Sequence, residues 1–129
     1  MRDDVLAVYL TFPDEASAER LARLLVERRL AACVNLMPGA RSFYRWQGAV
    51  SADVEVLAVA KTRAGRLDAL VATVRAEHPF DLPCVVAYPA IGGDDAYLDW
   101  VRAETHAEAT DETETEPETD RRGQPPRGA

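Results

Sequence analysis

The 129-residue chain predicts an α+β fold whose elements run β-α-β-β-α-β, with one further short helix after them. Short apolar runs punctuated by proline and glycine predict four strands, and two stretches with apolar side chains at a 3.6-residue period predict helices between them. Residues 31–46, AACVNLMPGARSFYRW, then Gln47-Gly48 and 54–62, VEVLAVAKT, read as two unusually long strands joined by a tight turn. They carry more large apolar side chains than one small domain covers.

Residues 5–12 are apolar on both faces and end at Pro13, which predicts a strand in the middle of a sheet. Asp14 suits a helix cap and Glu15 the positive end of its dipole, while Ala18, Leu21, Ala22 and Leu25 recur at helical spacing, so the first helix is expected over 14–29. The second strand begins near Ala31. Pro38-Gly39 predicts a bulge or kink in it, because proline offers no N–H to a ladder. In the third strand, 54–61, Val54, Val56, Ala58 and Ala60 share one face, and Glu55, Leu57, Val59 and Lys61 the other. Six positions separate Glu55 from Lys61, roughly 20 Å of strand, so each needs a different partner or water.

The second helix is expected from about Ala64, with Leu67, Leu70, Val71, Val74 and His78 on one stripe, stopping at His78 because Pro79 disfavours a helical residue before it. The fourth strand, 83–89, is again apolar on both faces. The turn Ile91-Gly92-Gly93-Asp94-Asp95 hands over to a short helix over 94–105, with Ala96, Tyr97, Trp100 and Val101 as its adhesive side. This order is the split βαβ, ferredoxin-like sandwich, an antiparallel sheet with two helices on one face. The bare face would expose a large apolar patch, which predicts a closed homo-oligomer that packs sheets together. The alternative is that the short C-terminal helix folds over the sheet.

Of the net charge of −7, residues 1–105 carry 12 basic and 15 acidic side chains, and 106–129 carry 3 and 7. We therefore divide the chain into a domain at 1–105 and an acidic tail at 106–129, whose Thr/Glu alternation cannot bury enough surface to offset its ordering entropy and is expected to be disordered. Fourteen of the fifteen basic residues are arginines scattered along the body, which with the acidic balance argues against nucleic acid as a partner. No apolar run reaches the length of a membrane span, and MRDDVLAVYL has acids where a secretory signal needs positive charge, so a cytoplasmic protein is expected. Cys33 and Cys84, 51 positions apart without CxxC spacing, read as two buried, reduced thiols.

His78 and Cys84, with Glu77 and Asp81 nearby, are the one place where imidazole, thiol and carboxylates fall together, a set suited to copper or zinc. Against this, a histidine ending a helix also serves as a capping cation or a packed residue. Neither cysteine has an elbow motif or phosphate loop beside it, so no catalytic residues are assigned and no enzyme is expected. Gly92-Gly93-Asp94-Asp95 reads better as a helix cap than as a cation loop. Phe43, Tyr44 and Trp46, alternating with Arg41 and Arg45, fit a pairing surface between subunits better than a base-stacking strip.

These residues also carry a resemblance. Thr11-Phe12-Pro13-Asp14, AACVN at 31–35, PGARSFYRWQG at 38–48, Glu55 with Lys61-Thr62, His78-Pro79-Phe80 before Pro83, and Tyr97-Leu98-Asp99-Trp100, taken in order, resemble the CutA divalent-cation tolerance proteins from about Val5 to Glu104. The resemblance implies a ferredoxin-like homotrimer in which long hairpins pair between subunits, with Phe43, Tyr44, Trp46 and Trp100 at the interface, an architecture shared with PII-type signalling proteins. It implies a response to divalent metal ions, with weak binding of copper or a similar cation at Glu77 and His78 near the subunit boundary. Some relatives look to use a thiol at the end of strand one and two histidines before the proline; the matching positions here are Leu10, Glu77 and His78, and one ligand of the three survives. Cys84 stands where the family usually shows a glutamate. The other readings are a PII-like trimeric sensor that binds a small anionic metabolite in the inter-subunit cleft through Lys61 and nearby arginines, and a scaffold whose acidic tails recruit partners.

Overall fold

A computed structural model of the chain describes residues 3–106; the expected disordered tail therefore lies, from residue 107 onward, outside the described residues. Strand β1 (Val5–Phe12) is central, as its apolar faces require, pairing antiparallel with β3 (Ala49–Arg63) on one side and β4 (Val85–Pro89) on the other. Strand β2 (Cys33–Trp46) pairs antiparallel with β3, so the sheet order is β2-β3-β1-β4. Helices α1 (Glu15–Glu27) and α2 (Leu67–Glu77) cover one face, where Leu21, Leu25, Leu70 and Val74 meet Val8, Leu10, Phe12, Val56, Ala58 and Ala60. Each of these larger side chains, removed from water, contributes on the order of 1.5–3 kcal/mol.

Local chemistry sets the ends of the elements. Asp14 caps α1 by accepting the Ser17 N–H at 2.8 Å. The helix stops two residues short of the predicted end because Arg29 takes a left-handed φ of 59° and the Leu30 and Ala31 N–H groups both turn back to the Leu25 carbonyl. The expected irregularity in β2 is present as a register shift between Met37 and Ala40, with Gly39 at φ 88°. Gln47 (φ 51°) and Gly48 (φ 84°) are both left-handed, the two-residue turn whose twist matches its strands. Strand β3 is longer than the predicted 54–61, because the ladder runs to Trp46↔Ala49 and carries Ser51, Ala52 and Asp53, which have little strand preference of their own. A single 3-10 turn, Ala64–Arg66, precedes α2, and His78 ends it with extended backbone at ψ 142°. Strand β4 begins at Val85, not Pro83, because its pairing with β1 starts at Leu10↔Val85.

The third helix, α3 (Asp95–Glu104), is capped by Asp94, whose carboxylate accepts the Tyr97 N–H at 3.0 Å. It lies on the sheet face opposite α1 and α2, where Val101 packs with Val5 and Ala32 beneath Tyr97, Leu98 and Trp100. The alternative reading of this helix therefore holds for one end of the face. The rest stays open: Met37, Val86 and Tyr88 are 45%, 44% and 56% exposed. Beyond Val56 the β2–β3 ribbon extends past the helices, and Val54, expected on the core face, is 66% exposed because neither α1 nor α2 reaches it. Phe43 (66%) and Val50 (68%) sit beside it on that face of the arm. Among the described residues, no helix is long and apolar enough to cross a membrane.

Candidate functional site

The predicted metal pair is committed elsewhere. His78 is 7% exposed, its ring stacked on Phe12 at 4.8 Å and tilted against Phe80 at 5.0 Å. The Phe80 N–H donates to Nδ1 at 3.0 Å, so Nε2 carries the proton and donates to the Thr11 carbonyl at 2.7 Å. Neither ring nitrogen keeps a lone pair for a metal. Glu77 reaches the other way, its Oε1 accepting from Arg20 of α1 at 3.3 Å, and Leu10, the third matched position, is fully buried in the core. The packed-histidine alternative describes this geometry. The His78 ring thus ties the start of the 78–84 loop to the end of β1, through Thr11 and Phe12.

That loop forms one wall of a cleft of about 480 Å³ on the open face of the sheet. The arm supplies another wall, because alternation along β2 places Ser42, Tyr44 and Trp46 on the face opposite Phe43. Glu55 lies on its floor, accepting from the Ser42 hydroxyl at 2.7 Å, which is the separate partner that its distance from Lys61 demanded. Cys84 and Asp81 come from the loop, with Phe80 beside them. Burial, and next the Glu55 charge, push the Cys84 thiol above its ordinary value, against a smaller opposing hydrogen bond with Thr11. The Tyr44 hydroxyl donates to Asp53, which holds the phenol above its usual range.

A second polar group lies under α3. The Lys61 ammonium donates to Asn35 Oδ1 at 2.8 Å and approaches Cys33 Sγ at 3.7 Å, and it stands 6.0 Å from the centre of the Tyr97 ring. Cys33 Sγ and the Tyr97 hydroxyl are 3.4 Å apart, and burial, then Cys33, push that phenol up to about 12. Sequence reading singled out Lys61 and missed its partners. The signal was present in register, since Cys33 and Asn35 alternate on the strand that pairs with Lys61.

The expected interface residues do not share one surface. Phe43 belongs to the other side of the arm, which it shares with Arg41, Val50 and Val54, Tyr44 and Trp46 line the cleft, and Trp100 rests on α3 with its ring 5.5 Å from that of Tyr97. Among the described residues no three His, Cys, Asp or Glu side chains converge as a metal-binding group. Residues 6–104 match the family model described as CutA1 divalent ion tolerance protein.

The chain belongs to the CutA1 divalent ion tolerance family.

The divalent-cation tolerance protein CutA of Thermus thermophilus is 47% identical over 98 residues, 76% of this chain and 95% of that one. The CutA of Pectobacterium atrosepticum is 43% identical over 100 residues, covering 78% and 91%. The solved CutA1 structure from Thermus thermophilus superposes with a TM-score of 0.78 at 45% identity, covering 79% of this chain and 99% of that one. This chain spans 55% and 56% of the length of the chloroplastic CutA proteins of Arabidopsis thaliana and Oryza sativa. Relatives in the family are thus described from more than one compartment, with a periplasmic CutA from Archaeoglobus fulgidus at TM-score 0.77 and 35% identity, covering 79% of this chain and 99% of that one.

Proposed function

We propose that the chain serves divalent-cation tolerance as a homotrimeric binding protein without catalytic turnover, holding copper or a similar divalent cation weakly at the cleft beside the 78–84 loop. The observation that carries this reading is that a thiol, Cys84, and a carboxylate, Glu55, line one cleft, close enough for the Glu55 charge to act on the thiol. Thiolate suits a soft ion and carboxylate supplements it. Two donors from one chain make an incomplete shell, in keeping with weak binding that water or a neighbouring subunit completes. The soft donor is then Cys84, on the far side of the loop from the position that His78 was expected to fill.

Titration calorimetry of the reduced protein with Zn(II) and Cd(II), which do not oxidise a thiol, tests it. Cys84→Ser is expected to weaken binding about tenfold or more, a loss of about 1.4 kcal/mol, while a folded His78 variant binds as wild type does. Undiminished affinity in Cys84→Ser removes the site.

Lys61 favours a second reading, a PII-like sensor of a small anionic metabolite. Its hydrogen bonds go to an amide oxygen and a thiol, not to a carboxylate, and it borders a cavity of about 270 Å³ under α3. Asp94, which lines the same cavity, opposes an anion there. Thermal shifts against a panel of phosphates and carboxylates, wild type against Lys61→Met, separate this from the metal reading, since a ligand stabilises the state it binds.

A further inference from the structure

The cleft has room for more than a bare ion. Its volume of about 480 Å³ falls within the range of small-molecule sites, and a dehydrated divalent cation leaves most of it unfilled. Three aromatic side chains, Tyr44, Trp46 and Phe80, line it and remain 40%, 46% and 38% exposed. Its charged lining groups are Glu55 and Asp81, both acidic, with no Lys or Arg among the lining residues. Glu55 takes one hydroxyl hydrogen bond from Ser42, which orients the carboxylate and leaves its charge in place. Tyr44 is likewise held, its hydroxyl bound to Asp53 on the neighbouring strand. Aromatic faces attract cations through their quadrupole, and aromatic walls beside carboxylates are the recurring recognition chemistry of organic ammonium groups.

From this geometry we infer that the cleft binds a small alkylammonium ion, its alkyl part against Tyr44, Trp46 and Phe80 and its charge answered by Glu55. The inference rests on reading the cleft as the ligand site. The aromatic walls come from two separate elements, the arm and the 78–84 loop, so the site can be perturbed from either side.

The test titrates the full-length protein with n-butylammonium and with its neutral isostere 1-butanol, following the Trp46 indole N–H resonance. Saturable movement with the ammonium and little with the alcohol is expected, and Glu55→Gln or Phe80→Ala should weaken binding about tenfold. Phe80→Ala lies outside the arm and keeps the test readable if Trp46→Ala disturbs assembly. Equal responses to ammonium and alcohol, no saturable response, or unchanged affinity in Glu55→Gln overturns the inference. A wild-type protein that binds Zn(II) but not butylammonium sinks this inference alone; one that binds butylammonium but not Zn(II) sinks the metal reading alone.

Discussion

Cys84 and His78 show how neighbouring residues in one loop acquire opposite roles. The Cys84 thiol, pushed above its ordinary value of 9.0 by burial and then by Glu55, stays protonated at neutral pH. Its alkylation by iodoacetamide, followed by peptide mass spectrometry, is therefore expected to accelerate with pH past 9.0, and Glu55→Gln to raise the rate at any fixed pH below that. A rate that levels off near neutrality contradicts this. His78, buried with both ring nitrogens bonded, works as a structural wedge. Replacing it by alanine empties a stacked position and orphans the Thr11 carbonyl and the Phe80 N–H, so unfolding in urea should show a loss of about 2–4 kcal/mol. From the sequence the imidazole reads as a cap or packed ring more readily than as a ligand, but spacing does not say what lies across the sheet from residue 78.

At the scale of elements, the caps and turns were legible because their chemistry is local. Asp14, Asp94, Pro38-Gly39, Gln47-Gly48 and Pro79 each act within a few residues of themselves, and each marks the boundary or bulge expected of it. The Asp14 carboxyl is held below its ordinary 3.8 by the Ser17 N–H and hydroxyl. Its folded value is the lowered one, so its contribution to α1 is complete above the ordinary value and is lost as pH falls from about 3.8 through the folded value. Asp14→Asn, still a capping residue, should flatten the pH dependence of stability in that acid window; an unaltered acid limb in denaturant titrations speaks against the cap. At the arm's tip Gly48 has φ 84° with open space where a Cβ would stand. Gly48→Ala should therefore cost about 1–2 kcal/mol from backbone strain alone, without a steric clash. Strand β3 exceeded its expected length because Ser51 and Asp53 are strand residues only by virtue of the partner strand, which a local reading does not contain.

The whole molecule is a ferredoxin-like sheet with an arm that outruns its helices. Phe43, Val50 and Val54, each about two-thirds exposed, stand on one side of that arm, and covering them against a second copy would contribute on the order of 1–2 kcal/mol apiece. A Val54→Asp variant places a carboxylate on that surface, at its end nearest the core. Light scattering should show the proposed trimer dissociating to smaller species, and an unchanged mass would move the interface elsewhere on the molecule. By itself the sequence determined the order of the strands and helices, their caps, the hairpin and the surplus of apolar sheet, since periodicity and turn chemistry act along the chain. Only the tertiary structure decided which apolar side chains go uncovered, that Tyr44 and Trp46 turn away from Phe43 into a cleft, and that Cys84 rather than His78 faces Glu55. Those outcomes depend on register and on how far α1, α2 and α3 extend over the sheet, and such distances arise between elements that no run of neighbouring residues specifies.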